Sequence, residues 1–441
     1  MKRVRIDVER YTGQLRASMR MLLPAKGLPL IEVGRAWSDR ILVTCAVVMA
    51  CVAGPTLAGR FDAARAAVVA MYPSRKRPGE TYAGFVDALV ARGSALLGLL
   101  LPHLRERTRA LARAGGHWLV EGWCVFAGDG SKLDCPMTLA NERGLGIASR
   151  AGSGPQVLLT TLAHLGTGLP WAWRTCGACG DERGQLRQML EDLPARSLLA
   201  IDAGFTGFDL LKTILACGHQ FVIRVGANVR LLTKLGYACE VRGEVVYLWP
   251  ADAQRHRRSP LVLRRVTVAD GRNRRVALLT GVTDPALLSD AGVAAVYRRR
   301  WGIELLYRAL KQTMGRGKLL SAGPGQALVE AQWAMLGVLM LGLMMLAARA
   351  PEIAPRRQSI ARVLRAVRDA AAGRRPLGRR SLALALSEDA AQDDYQRLWP
   401  KAARHWPHRK NPDPPGEPKA RTATEAEVLL AQEIRRRKDA A

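Results

Sequence analysis

Acidic residues are scarce in this chain. Across 441 residues, 38 Asp and Glu stand against 67 Lys and Arg, a formal net charge of +29 with a pI near 10.8. An excess of that size goes beyond what solubility requires and points to a polyanionic partner, either nucleic acid or an anionic membrane surface. Long apolar runs are also missing. Ile41 to Gly59 is interrupted by Pro55, and Trp333 to Ala348 falls short of the roughly 20 residues that span a bilayer, so both are expected to pack as core helices and nucleic acid is the favoured partner. The opening "MKRVRIDVERYTG" has no apolar h-region and mixes acids with bases, which gives no secretory signal. The expected location is therefore the bacterial cytoplasm, on the nucleoid. Hydrophobic residues make up 49% of the chain, which excludes wholesale disorder.

Cysteine is sparse too. Of the eight, Cys45, Cys51, Cys124 and Cys217 sit in apolar runs, where a free thiol behaves as a small hydrophobe, so reduced cysteines are expected. Cys176 and Cys179 form a C-x-x-C with no second pair at zinc-finger spacing, and the pair reads as a loop with two incidental thiols. There is no internal repeat.

What is present changes texture three times. Up to about residue 115 the apolar positions of "RILVTCAVVMACVAG" and "GFVDALVARGSALLGLLLPHL" fall at helical spacing, around a break at "YPSRKRPGETY". From Trp118 come short apolar runs bounded by Gly and Asp: "WCVFAGDG", "PQVLLTTLAHLG", "SLLAIDAGF" and "QFVIRVG". These lengths suit buried strands. "DERGQLRQMLEDLP" and "TGFDLLKTILACG" lie between them with apolar residues at helical spacing, and strands alternating with helices imply an α/β core with parallel pairs. Next, "VRLLTKLGYACEVRGEVVYLWP", "PLVLRRVTVADG" and "RRVALLTGV" partly alternate, as an inserted antiparallel sheet does. Beyond about residue 325 the chain reads as helical and basic, with an arginine cluster from Arg356 to Arg380 suited to DNA backbone or to a solvated face.

Three acids stand out. "YRRRWGIELLYRALKQ", positions 297 to 312, reads as one helix on which Tyr297, Arg300, Glu304 and Lys311 fall within an arc of about 60°. A solvated face with Glu304 paired to Arg300 carries the same pattern. Asp129 ends the apolar run "WCVFAGD" beside Gly130, and Asp202 ends "SLLAID" near Gly204, which places each carboxylate at the tip of an expected strand beside a turn-permitting glycine. Singly, either is an ordinary turn residue. Together with Glu304 they make an oxygen donor set for a hard divalent cation, and two ions about 4 Å apart serve phosphodiester chemistry. Arg300 and Lys311 would then hold phosphates, and Tyr297 would hydrogen-bond one. Trp301 is a candidate for stacking on an extruded base, or for packing. Arg224, ending "QFVIR", is either a site neighbour or an exposed strand-end residue, and Lys132 is a weaker phosphate candidate. Asp134, Asp181 and Glu182 read as surface or helix-start acids.

These residues carry a resemblance. The run from Tyr297 to Lys311 matches all four positions of the Y-(2)-R-(3)-E-(6)-K signature of the DDE transposases of the insertion-sequence-four family. "DGSKLDCPMTLAN" resembles the family's first-aspartate segment with Ser131 in place of Thr, and "LLAIDAGFTGFDLL" resembles its second, D-x-G-F. The resemblance runs from about residue 118 to 322. It implies a ribonuclease-H-like, retroviral-integrase-like catalytic core with a β-rich insertion, flanked by helical N- and C-terminal regions. It implies Asp129, Asp202 and Glu304 as ligands of two Mg²⁺ ions, with Mn²⁺ as substitute, and Tyr297, Arg300 and Lys311 as phosphate contacts. The implied activity is cut-and-paste transposition by a homodimer on double-stranded element ends and target DNA, with no membrane involved. Rival readings are an end-binding repressor without cleavage and a structure-selective nuclease on the same core.

The expected domains are a helical N-terminal DNA-binding domain (1–115), a catalytic domain (116–325) with its β insertion at about 226–285, a basic helical region (326–400) and a flexible tail (401–441) ending in a charged helix.

Overall fold

Apolar residues at helical spacing build the first quarter of the chain as α1 (Lys2–Leu22), α2 (Asp39–Cys51), α3 (Leu57–Met71) and α4 (Tyr82–Ala114). Thr56 and Thr81 cap α3 and α4, each hydroxyl accepting from the backbone N–H three residues on. The computed structural model describes residues 2–30, 32, 36–73, 78–147, 154–238, 244–269, 275–348, 359–387 and 416–439. After α4 come β1 (Val125–Asp134), α5 (Leu139–Leu145), β2 (Gln156–His164), β3 (Leu169–Gly177), α6 (Glu182–Gln188), β4 (Leu198–Ile201), α7 (Phe208–Ala216) and β5 (Gln220–Val225). Then follow β6 (Arg230–Thr233), β7 (Val245–Leu248), α8 (Ala251–Arg255), β8 (Leu261–Ala269), β9 (Arg275–Thr280), α9 (Asp290–Arg299) and α10 (Gly302–Arg308). The described chain ends with α11 (Pro324–Ala348), α12 (Ile360–Ala371), α13 (Leu382–Leu386), β10 (Lys419–Thr422) and α14 (Glu425–Asp439). The protein is a mixed α/β chain in two compact units.

The first unit takes Met1–Trp118, Gly130–Glu182 and Gly302–Asp393. Its centre is α11, which packs against α1, α2, α4, α12 and the antiparallel pair β2–β3. This helix is long and apolar enough to cross a membrane, yet 83% of its apolar window is buried inside the protein. Its interior leucines, among them Leu336, Leu339 and Leu343, are nearly inaccessible, and each truncation to Ala is expected to cost about 2–5 kcal/mol. Two arginines close the carboxyl end of α2: Arg316 donates to the carbonyls of Met49 and Ala50, and Arg368 to that of Cys51. Arg368, from the arginine cluster read as DNA-binding, is therefore an internal cap. Arg374 of the same cluster pairs with Asp369 at 3.1 Å, and Arg356 lies outside the described residues.

The second unit takes Leu119–Asp129, Arg183–Trp301 and Asp394–Ala441. Its strands run β1-β4-β5-β9-β8-β7-β6-β10. The β1–β4 and β4–β5 pairs are parallel, β5 to β6 pair antiparallel through β9, β8 and β7, and β10 lies parallel on β6. The β-rich stretch is thus continuous with the strands that carry Asp129 and Asp202, because β9 pairs directly with β5.

Three expectations are corrected. The last segment is not a flexible tail over residues 416–439: β10 joins the sheet, and Thr424 and Glu427 form a capping box at the start of α14. Glu427 also accepts two hydrogen bonds from Arg421, at 2.7 and 2.8 Å, and one from Gln254, which tie the segment down. Residues 401–415 lie outside the described part. Cys217, read as a buried thiol, is exposed where α7 ends. The helix read over positions 297–312 is three pieces: α9 stops at Arg299, α10 restarts at Gly302, and a π-helical turn covers Ala309–Thr313. The wheel that put Tyr297, Arg300, Glu304 and Lys311 on one face assumed an unbroken 3.6-residue repeat, so it does not hold across these joints.

Candidate active site

Two carboxylates come together in the second unit through strand register alone. Parallel β1 and β4 pair as far as Gly128 with Ile201, so Asp129 and Asp202 are the next residue on each. Parallel β4 and β5 pair as far as Ile201 with Ile223, which adds Arg224 to the same row. The apolar residues before them, Phe126 and Ala127 on β1 and Leu198 to Ile201 on β4, are fully buried, whereas Asp129, Asp202 and Arg224 are all half-buried. Burial fixes the register, and one step further the backbones deliver two acids and a guanidinium to the carboxyl ends of adjacent strands. That is where α/β sheets place ligand chemistry.

The setting of Asp129 differs from the sequence reading. β1 continues to Asp134, so Asp129 lies within the strand, at the end of its pairing with β4, and Gly130 is extended backbone instead of a turn. The glycine instead leaves room for a neighbouring side chain. In the first unit the Glu182 carboxylate lies against Gly130, and a Cβ there would stand 1.7 Å from Glu182 Oε1. Glu182 is also the first residue of α6, the helix-start position read for it.

Asp202 caps a single 3₁₀ turn, Ala203–Phe205, accepting from Ala203 N–H at 2.8 Å. Arg183 donates twice to the carbonyl of Gly204, at 3.0 and 2.8 Å, and clamps that turn from outside. Asp202 Oδ1 also accepts from the Tyr297 hydroxyl at 3.3 Å. Burial first, and the Asp202 charge second, push the Tyr297 hydroxyl up to about 12, so at neutral pH it is a donor. Tyr297 is set by α9, which packs on β4, β5 and β8 and starts at the Ser289 cap, where Gly292 N–H donates at 3.1 Å. Buried Arg264 on β8 donates to the Leu288 carbonyl beside that cap and stands 3.8 Å from Asp290. Past Tyr297, the Arg300 guanidinium lies over its ring at 5.6 Å, and the Trp301 side chain is 51% exposed. The second unit therefore gathers Asp129, Asp202 and Arg224 by register and joins Tyr297 to Asp202.

Glu304 and Lys311 belong to the first unit. Glu304 lies in the first turn of α10, half-buried, where an acid complements the helix dipole. Lys311, in the π-helical turn, donates to the Lys132 carbonyl on β1 at 2.7 Å. Burial lowers its ammonium below the usual lysine range, and Asp134 opposes that shift. The Asp134 carboxylate accepts from Gln156 at 2.7 Å, and the Asp134 backbone pairs with that of Lys318 in an isolated β-bridge. Lys132 contributes its backbone, and Cys176 and Cys179 are free thiols.

Residues 156–341 match the family model of the transposase DDE domain, a stretch that contains Asp202, Arg224, Tyr297, Arg300, Trp301, Glu304 and Lys311 but neither Asp129 nor Lys132. The chain is 27% identical over 232 residues to the Escherichia coli (strain K12) transposase InsG for insertion sequence element IS4, an alignment covering 50% of this chain and 51% of that one. Over this stretch the chain is similar to DDE transposases, that of an IS4 element among them. It spans about half the length of the curated relative it matches. A looser likeness to a piggyBac transposase synaptic complex with hairpin DNA has 12% identity and a TM-score of 0.38, covering 84% of this chain and 77% of that one.

Among the described residues no three His, Cys, Asp or Glu side chains gather as a metal-holding group. The Asp129–Asp202 pair still suits the ions the DDE family takes, because Mg²⁺ binds through one or two carboxylates and fills its other positions with water and phosphate oxygens. Sequence reasoning missed Arg183 and Arg264. Neither sits in a motif, and only the folded chain brings Arg183 to Gly204 or Arg264 to Leu288.

Proposed function

We propose that this protein is a metal-dependent DNA transposase that frees a 3′-hydroxyl at each end of its insertion sequence and joins it to target DNA. The observation that carries the reading is the register of Asp129 with Asp202, reinforced by the Tyr297 hydrogen bond. Asp129 and Asp202 would hold divalent ions, Mg²⁺ or Mn²⁺, and the resemblance implies Glu304 as a further ligand. When bound, such ions polarise the attacking hydroxyl and stabilise the leaving oxygen of a phosphodiester.

The chain's own residues hold and orient. Tyr297 fixes one oxygen of Asp202 by donating to it, while Ala203 N–H holds the same oxygen along the backbone. Arg224, one strand over from Asp202, offers a planar donor fork that suits a phosphate, and Arg300 stacked on Tyr297 offers a second. Trp301 provides an exposed aromatic surface for a base. Lys311 adds charge for the backbone of the DNA end. The proposed core is ribonuclease-H-like. Its support is the parallel run β1-β4-β5 in the second unit and the antiparallel β2–β3 pair in the first. The working form is a homodimer on paired ends, acting at the nucleoid.

The test is cleavage and strand transfer on labelled DNA carrying the gene's own flanking ends, in Mg²⁺ and in Mn²⁺, for the natural chain and Asp202→Asn. Metal-dependent cuts at the ends, joined products and a folded, DNA-binding but inactive variant support the proposal. End binding without cutting by the natural chain would make it a repressor. Cutting without joining would make it a nuclease, and undiminished cutting by Asp202→Asn would remove Asp202 from the site.

A further inference from the structure

Arg374, Arg375, Arg379 and Arg380 crowd the turn that joins α12 to α13, and all four side chains are exposed. The backbone beneath them is pinned at several points. The Asp369 carboxylate accepts from the Leu377 N–H at 3.2 Å and pairs with Arg374 at 3.1 Å, while the Asp369 carbonyl accepts from the Arg374 N–H at 2.8 Å. Leu377 is held in the left-handed region, at φ +48°, which a bulky side chain rarely adopts. Gly373, at φ +69°, lies so close to α1 that a Cβ there would stand 2.5 Å from the Val8 side chain. Past the turn, the Leu382 N–H donates to the Gln14 side chain of α1 at 2.8 Å. The same packing brings in a fifth cation, because exposed Arg10 of α1 donates to the Arg380 carbonyl at 3.3 Å, across 370 positions of sequence.

Five arginines thus gather where the stretches that carry them, residues 8–14 and 369–382, supply two acids, Glu9 and Asp369. Asp369 is already engaged by the turn, and Arg375, Arg379 and Arg380 have no acidic partner among the described residues. Like charges gathered this way repel one another, and a pinned backbone keeps their stems from moving apart. A polyanion laid across them relieves that repulsion. Because the turn is ordered beforehand, binding has little backbone freedom left to remove.

We infer that this patch, formed by α1 and the α12–α13 turn of the first unit, is a contact surface for duplex DNA that holds the phosphodiester backbone without reading sequence. The inference rests on the reading that DNA is the partner, and the patch contains none of the residues assigned to cleavage. Its occupant is a duplex, which presents closely and regularly spaced phosphates, whereas a protein surface offers scattered acids. Every cation in the two stretches is an arginine, whose planar fork takes two phosphate oxygens at once.

The experiment measures binding of the full chain to duplex DNA that lacks any element end, across a salt series, for the natural protein, Arg379→Gln with Arg380→Gln, Arg10→Gln, and a control pair, Arg436→Gln with Lys438→Gln, exposed on α14. Losing two phosphate contacts flattens the slope of log affinity against log salt by about 2, so from about 50 to 200 mM salt the Arg379–Arg380 pair loses about tenfold less affinity than the natural chain. Arg10→Gln flattens the slope by about 1. The control pair leaves it unchanged. An unchanged slope in the Arg379–Arg380 pair or in Arg10→Gln, or an equal fall in the control pair, overturns the inference. If a urea melt shows that the Arg379–Arg380 pair has lost its fold, the decision passes to Arg375→Gln, a single exposed side chain whose loss flattens the slope by about 1. Weaker binding of the pair to phosphatidylglycerol vesicles at an unchanged DNA slope assigns the patch to a membrane and also overturns the inference. Failure of the natural chain to bind any DNA overturns the proposed function instead, and Asp202→Asn tests that function with the patch intact.

Discussion

Replacing Tyr297 by Phe removes one hydroxyl and leaves the ring under Arg300, which isolates the hydrogen bond to Asp202 from the packing of α9. At 3.3 Å this bond is longer than the usual O–H···O range, so its worth lies near the lower end of bonds to charged groups, about 1.5 kcal/mol. If that amount orients Asp202 in the reacting complex, single-turnover cleavage of end DNA slows about tenfold, since each 1.36 kcal/mol is a factor of ten in rate. Folding stability changes less, by roughly 1 kcal/mol or under, because Asp202 keeps the Ala203 N–H and remains half-exposed to water. The assay pairs a burst measurement at saturating DNA with a urea melt of the same variant. A full cleavage rate, or a rate loss no larger than the loss of folded protein, refutes the orienting role. The pH dependence checks the same hydroxyl. Its pKa is raised from 10 to about 12, so its contribution to stability is whole below pH 10 and is lost as pH rises through about 12; a stability loss centred near pH 8 that Phe abolishes would contradict this.

Three further outcomes follow from the packing. His164 is held neutral at about 4, well below its ordinary 6.5, so its contribution to stability is present above pH 6.5 and falls away as pH drops through about 4, by up to roughly 3 kcal/mol. Urea melts of His164→Phe at pH 7 and pH 4.5 should differ less than those of the natural chain. Arg421 beside Glu427 holds its carboxyl down at about 2, so Glu427→Gln loosens the last segment at neutral pH. Hydrogen exchange at Lys419–Thr422 should rise while that of β4 does not, and uniform exchange across both would contradict a local tie. Ser289→Ala removes the cap of α9 and should lower stability by about 1 kcal/mol with a parallel loss of cleavage; a melt unchanged from the natural chain would show that Arg264 holds that helix start unaided.

The core was legible where burial dictates sequence. Strands β4 and β5 announce themselves as "SLLAID" and "QFVIRV" because both faces are covered, and the acid that ends the first run marks the end of the β1–β4 pairing in the folded chain. The joints after Tyr297 were not legible. "RRRWGIE" contains one weak helix former, Gly302, and neither the stop at Arg299 nor the π-helical turn has a residue signature that a wheel would register. β10 was missed because all four of its residues are exposed and show no alternation, although the Thr424-x-x-Glu427 spacing just after it is a readable helix start. The Tyr297–Asp202 bond joins positions 95 apart. Spacing along a chain does not reveal a contact of that reach.

The placement of β10 also bears on when the second unit can be completed during synthesis. Its strands come from three separated stretches of chain, and the one that lies on β6 is made after the unit's other strands. While the ribosome is still adding residues, the edge of β6 presents unpaired N–H and C=O groups to whatever is nearby, including a neighbouring nascent chain. A message cut short before Lys419 would leave that edge open in the finished product. The codons for Lys419–Thr422 therefore decide whether the β6 edge is covered by its own chain or by another.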